Sequence, residues 1–292
     1  MPGIFILSLD CEGKWGIADQ LNESHREFLS DARLRVAYAS VVALLDQFGL
    51  SATFAFTSLF TLPPNQLRAL PGEEISYRLP YTVSAFNDFK LGLFEGWSAP
   101  WARDMVTSRH EIACHGVTHT PWDSMDEEQA KFELALVSLT ENHTFVFPRN
   151  RVRHLELLSR AGFRGYRLAP SERSRVLSLM SEFNIFAAAE KNPSIVAPQS
   201  IPAGYFINWL SGLRRSVPLG CTRLRVRHIL EDAARSCGVA HFWTHPENIA
   251  TAPETLLNLR TVLEEVARLR AQNKIICMTQ SQYCDHLSAM AP

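Results

Sequence analysis

Four short runs in this 292-residue chain group side chains that can do hydrolytic chemistry. The first is Ser8-Leu9-Asp10-Cys11-Glu12-Gly13-Lys14-Trp15-Gly16. If a strand continues through residue 12, Asp10 and Glu12 share one face and Cys11 points the other way. Two carboxylates and a glycine-containing turn at a strand end suit a site at the carboxyl edge of an α/β fold, the plain alternative being a solvated turn. The second run is Cys114-His115-Gly116-Val117-Thr118-His119. Histidines four apart on one helical or turn face can hold one metal ion through neutral imidazole nitrogens. His241 and His245 repeat that spacing, but their segment reads as a strand, which sets them roughly 13 Å apart and too far for one ion. His245, just past the strand, instead suits a general acid or base, because an imidazole titrates near working pH. The last run, Phe147-Pro148-Arg149-Asn150, puts Arg149 past a strand end, where it can orient a carboxylate, bind an anion or simply be a surface charge.

The elements that must position these groups alternate. Strands are expected at 4–9, 52–57, 109–115, 144–147, 164–168, 185–189, 239–243 and 274–278. Helices are expected at 31–48, 151–161, 222–236 and 253–272, with another from Ser124 to about 141 opened by a Ser124-x-x-Glu127 capping box. The 31–48 helix carries Leu34, Tyr38, Val41, Leu45 and Phe48 on one face and ends at Gly49. Two stretches without clean periodicity, 60–105 and 191–221, read as long insertions, and one domain over 1–292 is the simplest organisation. Alternating strands and helices imply parallel strands joined by crossovers, an α/β sheet or barrel. No glycine-rich phosphate cradle follows a strand, so dinucleotide and P-loop chemistry are disfavoured. The chemical runs all fall at ends of successive expected strands, which is where a shared active-site face lies.

Composition narrows the partners. Lysine and arginine number 29 against 30 acidic residues, so no basic excess exists to track nucleic acid. The apolar run at Ile4–Leu7 is far too short for a membrane span, and no signal-peptide pattern precedes it. The six cysteines are scattered without metal-knuckle spacing. Together these features lead to the expectation of a reducing, cytoplasmic setting.

In order, S-L-D-C-E-G-K-W-G, A-T-F-A-F, H-G-V-T-H, F-P-R-N and W-T-H-P-E-N resemble the motifs of the polysaccharide deacetylase family, the NodB homology or carbohydrate esterase family 4 superfamily. The resemblance spans about the whole chain. It implies a distorted (β/α) barrel of about seven strands, NodB-like, and hydrolysis of a sugar N-acetyl group with a divalent metal, most simply Zn2+. By motif, His115, His119 and Glu12 look like metal ligands, Asp10 like the general base, His245 like the acid for the leaving amine and Arg149 like the residue orienting the base. An Asp-x-Glu replaces the family's adjacent Asp-Asp pair, so base and ligand are interchangeable at this point. Trp209 and nearby Arg214 are candidates for the family's tryptophan pocket. Lys14 and Trp15 are candidate substrate contacts, for an anionic sugar group and a pyranose face, or else a turn with a packed indole. A cytoplasmic enzyme of this kind would act on nucleotide- or lipid-linked N-acetyl sugars for surface polysaccharide or lipopolysaccharide O-antigen. The competing readings are a catalytically silent carbohydrate-binding protein on the same fold and a Cys–His hydrolase using Cys11 or Cys114.

Overall fold

A computed structural model of the chain describes residues 1–136, 144–171, 175–190 and 198–290. Nine strands form one sheet: β1 (Gly3–Cys11), β2 (Thr53–Phe56), β3 (Glu111–Cys114), β4 (Thr144–Phe145), β5 (Gly165–Arg167), β6 (Gln199–Ile201), β7 (Tyr205–Phe206), β8 (Val239–Thr244) and β9 (Ile275–Met278). Their order is β6-β5-β4-β3-β2-β1-β8-β7, and every pairing between named strands is parallel. The edge strands β6 and β7 are joined by residues 202–204 alone. Three residues reach roughly 10 Å, so the sheet must curl until its edges nearly meet. That makes the architecture a distorted (β/α) barrel.

Strand β1 is the axis of the design. It pairs with β8 along Ile4–Leu9 on one side. On the other side β9 takes Gly3–Ile6 and β2 takes Ser8–Cys11. Side chains alternate across it as a strand requires. Phe5, Leu7, Leu9 and Cys11 join the main apolar core with the Asp31–Phe48, Leu219–Ser236 and Thr255–Ala271 helices. Ile4 and Ile6 face the barrel interior, where Ile201 and Val239 meet Tyr283, Cys284 and Leu287 of the Gln280–Met290 helix. That helix therefore supplies the barrel's apolar floor. Higher in the interior the side chains shrink to Ala55, Ala113 and Val146, and this leaves room under the strand ends.

The expected 31–48 helix forms as Asp31–Phe48 and closes on Gly49 in the left-handed conformation. Other elements differ from expectation. The helix expected from Ser124 begins at Glu127, and its capping box is Asp126 with Gln129; residues 137–141 of that expectation lie outside the described ones. The 60–105 stretch folds into short helices, Pro64–Ala69, Gly72–Arg78, Val83–Lys90 and Pro100–Asp104, each too brief to show a period in sequence. The described part of 191–221 contributes β6 and β7, whereas 185–189 forms no strand and Glu190 makes one antiparallel bridge to Val239. Among the described residues no helix is long and apolar enough to cross a membrane.

Candidate metal centre and catalytic groups

The carboxyl end of β1 delivers Asp10 and Glu12 toward the interior, and the turn after β3 delivers the two histidines. That turn needs left-handed backbone at Gly116 and His119. A Cβ at Gly116 would lie 2.7 Å from Pro148 Cγ, so glycine is required there on both counts. Glu133, fully buried on the Glu127–Ala135 helix, holds the turn. Its Oε1 accepts from Val117 N (3.1 Å), Thr118 N (2.9 Å) and Thr118 Oγ1 (2.9 Å), and its Oε2 from Trp122 Nε1 (2.9 Å). The result is convergence of three donor atoms. Glu12 Oε2 lies 2.7 Å from His119 Nε2 and 3.2 Å from His115 Nε2, and the two Nε2 atoms are 3.2 Å apart.

The two 3.2 Å separations are close to those of donors sharing one cation, and the 2.7 Å Glu12–His119 pair, a direct hydrogen-bond distance, would have to widen to admit it. Zinc–ligand bonds near 2.0–2.2 Å set donors on a tetrahedral edge about 3.4 Å apart. His115 Nδ1 donates to the Val146 carbonyl at 2.8 Å, which leaves its Nε2 lone pair facing the cluster. His119 Nδ1 is buried and unpartnered among the described residues. Glu12, His115 and His119 are one group of His, Cys, Asp or Glu side chains arranged to hold a metal, and Asp10 is not part of it. Burial alone would raise the Glu12 pKa, but the His119 and His245 charges and the histidine hydrogen bonds hold it well below the usual carboxylate range.

Asp10, 2% exposed, has a different partner from the one sequence suggested. Arg167, on β5, donates Nη1 to Asp10 Oδ1 (2.8 Å) and Nη2 to Oδ2 (2.7 Å), and also reaches Ser8 Oγ (3.2 Å) and Asn150 Oδ1 (2.9 Å). Its guanidinium stacks over Trp243 at 4.6 Å. Burial pushes the Asp10 carboxyl up, and the Arg167 charge with help from His115 and His245 brings it below its ordinary value. Arg149 sits instead at the rim, donating to Asp19 (2.5 Å) and Tyr81 Oη (2.7 Å), because residues 149 and 150 turn through left-handed backbone away from Asp10. Asn150 makes up the difference by bracing Arg167.

His245 follows β8. Its Nε2 lies 3.9 Å from Asp10 Oδ2 and 3.8 Å from Glu12 Oε1. Asn248 Nδ2 donates to His245 Nδ1 at 3.3 Å, which puts the imidazole proton on Nε2, facing the carboxylates. Glu247 of the same turn accepts from Gly13 N (2.8 Å), Glu12 N (3.2 Å) and Tyr38 Oη (3.0 Å), so it pins the backbone that carries Glu12. Burial, with the Glu12 charge adding, raises the Glu247 pKa to about 6. His241 faces inward four residues before His245. It bonds Ser8 Oγ (2.9 Å) and the Pro202 carbonyl (2.6 Å), and burial, then Arg167, depresses it to about 3.

The structure does not bring Lys14 and Trp15 to this site. Gly13 takes φ +53° with Gly96 O 2.4 Å from any Cβ, and the following 3-10 turn, Gly13–Ile17, swings both side chains under the 95–97 segment. Lys14 Nζ donates to the Glu95 carbonyl (2.6 Å), and the fully buried Trp15 donates Nε1 to the Trp97 carbonyl (2.9 Å). Both are packing residues. Cys11 and Cys114 are buried, and burial raises both thiols, Cys114 to about 12, which removes the thiolate a cysteine nucleophile needs.

Beside the Glu12, His115 and His119 group opens a cavity of about 930 Å³ whose lining includes His245, Trp243, Phe206, Arg149, Arg214 and Arg225. Arg214 belongs to this wall, whereas Trp209 is not among the lining residues.

No family model matches the chain, and no curated protein does. Solved structures do. A Mycobacterium smegmatis protein provisionally designated a polysaccharide deacetylase aligns over 99% of this chain and 92% of its own, with 15% identity and a TM-score of 0.56. PuuE allantoinase aligns over 99% and 92%, with 11% identity and a TM-score of 0.58. A Pseudomonas aeruginosa PAO1 protein with a provisional polysaccharide deacetylase designation aligns over 97% and 91%, with 11% identity and a TM-score of 0.55. At these identities the likeness establishes a shared fold. The chain shares the fold of these three proteins.

Proposed function

We propose that the protein is a metal-dependent carbohydrate N-deacetylase whose single catalytic domain spans residues 1–292. The observation that carries the reading is the convergence of Glu12, His115 and His119 beside an arginine-held Asp10 and a tautomer-fixed His245. The polysaccharide deacetylase neighbours agree with it; the allantoinase counts toward amide hydrolysis in general and not toward a sugar.

A divalent ion, most simply Zn2+, held by Glu12, His115 and His119 would supply Lewis acidity to the acetyl carbonyl and make water more acidic. Asp10 remains ionised beside Arg167 and takes the proton of the attacking water as general base. Arg167 fixes the direction of that carboxylate through two parallel hydrogen bonds. His245 Nε2–H then gives its proton to the departing amine, which is a poor leaving group without it. The partners of the two carboxylates support this assignment of roles: Glu12 faces both histidines, Asp10 faces the arginine. The substrate class that suits the cavity is an N-acetyl sugar, in nucleotide- or lipid-linked form, on the way to surface polysaccharide or O-antigen.

Purified protein reconstituted with zinc should bind one ion per chain and release acetate from N-acetyl sugars, with activity lost to a chelator and in Asp10→Asn. Stoichiometric metal without acetate release from a broad panel would favour the silent carbohydrate-binding alternative. Chelator-insensitive hydrolysis would remove the metal from the mechanism.

A further inference from the structure

The cavity that His245 lines also carries charge that the hydrolytic chemistry does not use. Glu182, 4% exposed, follows the Arg175–Ser181 helix and accepts from two guanidiniums at once. Arg214 of the Gly212–Ser216 turn donates Nη1 to Glu182 Oε1 at 2.8 Å, and Arg225 of the Leu219–Ser236 helix donates to Glu182 Oε2. Two cations share one carboxylate, so the trio keeps one net positive charge in a largely buried setting. Such a charge is costly unless an anion joins it.

The donors are also incompletely used. Arg225, 8% exposed, lines the cavity and its Nε has no hydrogen-bond partner among the described residues. Arg214 spends its other contacts on Asn208 Oδ1 (3.1 Å) and Ser178 Oγ (2.7 Å), and among the described residues no acceptor takes the Ser178 hydroxyl hydrogen. Each guanidinium also lies over an aromatic ring within cation–π range, Arg214 over Phe206 at 5.5 Å and Arg225 over Tyr205 at 5.3 Å. By contrast, Arg149 and Arg151 on the near rim already face Asp19 and Asp123.

Distance ties this cluster to the reacting groups. The Phe206 ring lies 6.1 Å from the His245 ring and 5.5 Å from the Arg214 guanidinium, and all three line the one cavity. A pyranose is about as wide as that ring. We infer that Arg214, Arg225 and Ser178 form a subsite for a phosphoryl group borne by the sugar, so that the substrate is a glycosyl phosphate or diphosphate lying across Phe206 with its acetamido group at His245. Guanidinium forks with a hydroxyl donor match the several oxygens of a phosphoryl group. This inference rests on the deacetylase reading for the acetamido end only; the anion subsite stands on its own contacts. Nucleotide-linked and lipid-linked sugars share this chemistry.

The test measures binding by calorimetry on the zinc-loaded full chain. The probes are N-acetylglucosamine, its 1-phosphate, its uridine diphosphate derivative and a short-chain prenyl diphosphate derivative. The 1-phosphate should bind at least about tenfold tighter than the neutral sugar, and Arg214→Met should abolish that advantage while leaving the neutral sugar unchanged. Glu182→Gln unmasks positive charge and should tighten the 1-phosphate, whereas a merely structural trio would lose affinity in both variants. Stronger binding of either diphosphate derivative supports the subsite and names its source, and equal binding supports recognition of phosphoryl alone. Equal affinity for neutral and phosphorylated sugar, or weakening by Glu182→Gln, would overturn the inference even if acetate is released. Arg214-dependent binding without acetate release would uphold the subsite and remove the deacetylase reading instead.

Discussion

Arg167→Met separates the structural account of Asp10 from the sequence expectation that Arg149 orients it. The Arg167 side chain is completely buried and makes two parallel bonds to a carboxylate that is itself 2% exposed. Methionine keeps much of the volume and the contact with Trp243 but removes the charge. Stripping one partner from a buried ion pair costs about 3–5 kcal/mol, mostly because the other charge is left unpaired. Asp10→Asn alone strands the guanidinium and should cost a similar amount. The double variant removes both charges, so its loss should be no greater than that of either single one. The coupling energy should then be at least about 3–5 kcal/mol, at or above the top of the roughly 0.5–3 kcal/mol span seen for interacting neighbours. Arg149→Met, which breaks a partly exposed pair with Asp19, should cost under about 1 kcal/mol. Urea unfolding of the five proteins at neutral pH reads all of these terms. Additive single losses, or an Arg149→Met penalty as large as that of Arg167→Met, would refute the pairing. Activity gives an independent reading: Arg167→Met should lower kcat/KM by about 100-fold through a misdirected base.

Two further outcomes follow from buried polar groups. Glu133→Gln replaces an acceptor facing Trp122 Nε1 or the Thr118 amide with a donor and loosens the histidine turn, so zinc affinity should fall by about 10–100-fold in a chelator competition while the fold persists. His241 is depressed to about 3 in the folded chain against about 6.5 unfolded, so the unfolded chain takes up a proton that the folded one refuses. Its contribution is therefore complete above pH 6.5 and lost as pH falls toward 3, at up to about 1.4 kcal/mol per pH unit. His241→Asn should flatten that part of the urea-stability profile; an unchanged slope would show that other groups set it.

The residues legible in sequence are those whose placement follows from local geometry. Alternation along β1 put Asp10 and Glu12 on one face, and the four-residue spacing brought His115 and His119 together through a turn that Gly116 makes possible. Arg167 was not legible although its strand was expected, because the other chemical groups lie past strand ends and this one points inward from the strand itself. A lone arginine inside a short strand was the available signal: it must find a buried counter-charge. Lys14 and Trp15 failed for a tertiary reason, since only the loop around Gly96 decides which way the turn after Gly13 throws them. The floor helix Gln280–Met290 was illegible because its buried apolar positions are few, Tyr283, Cys284 and Leu287, on an otherwise polar segment. Strands β6 and β7, of three and two residues, carry no period at all.

The split edge of β1 also sets an order of events during synthesis. The strand that carries Asp10 and leads into Glu12 is made before the other described strands, but β8 and β9, which flank its first half, are the last of them to be made. At roughly 5–20 residues per second the ribosome leaves β1 short of these neighbours for about 10–50 s. Contacts of such long sequence separation form slowly and late. The metal-binding geometry is thus a product of completed folding: Glu12 and His115 can be neighbours in a nascent chain, yet the turn pinned by Glu247 is not fixed until residue 247 has left the ribosome. A chain stopped before β8 would expose the outward apolar face of β1 and, with it, an unpaired strand edge that other chains can join.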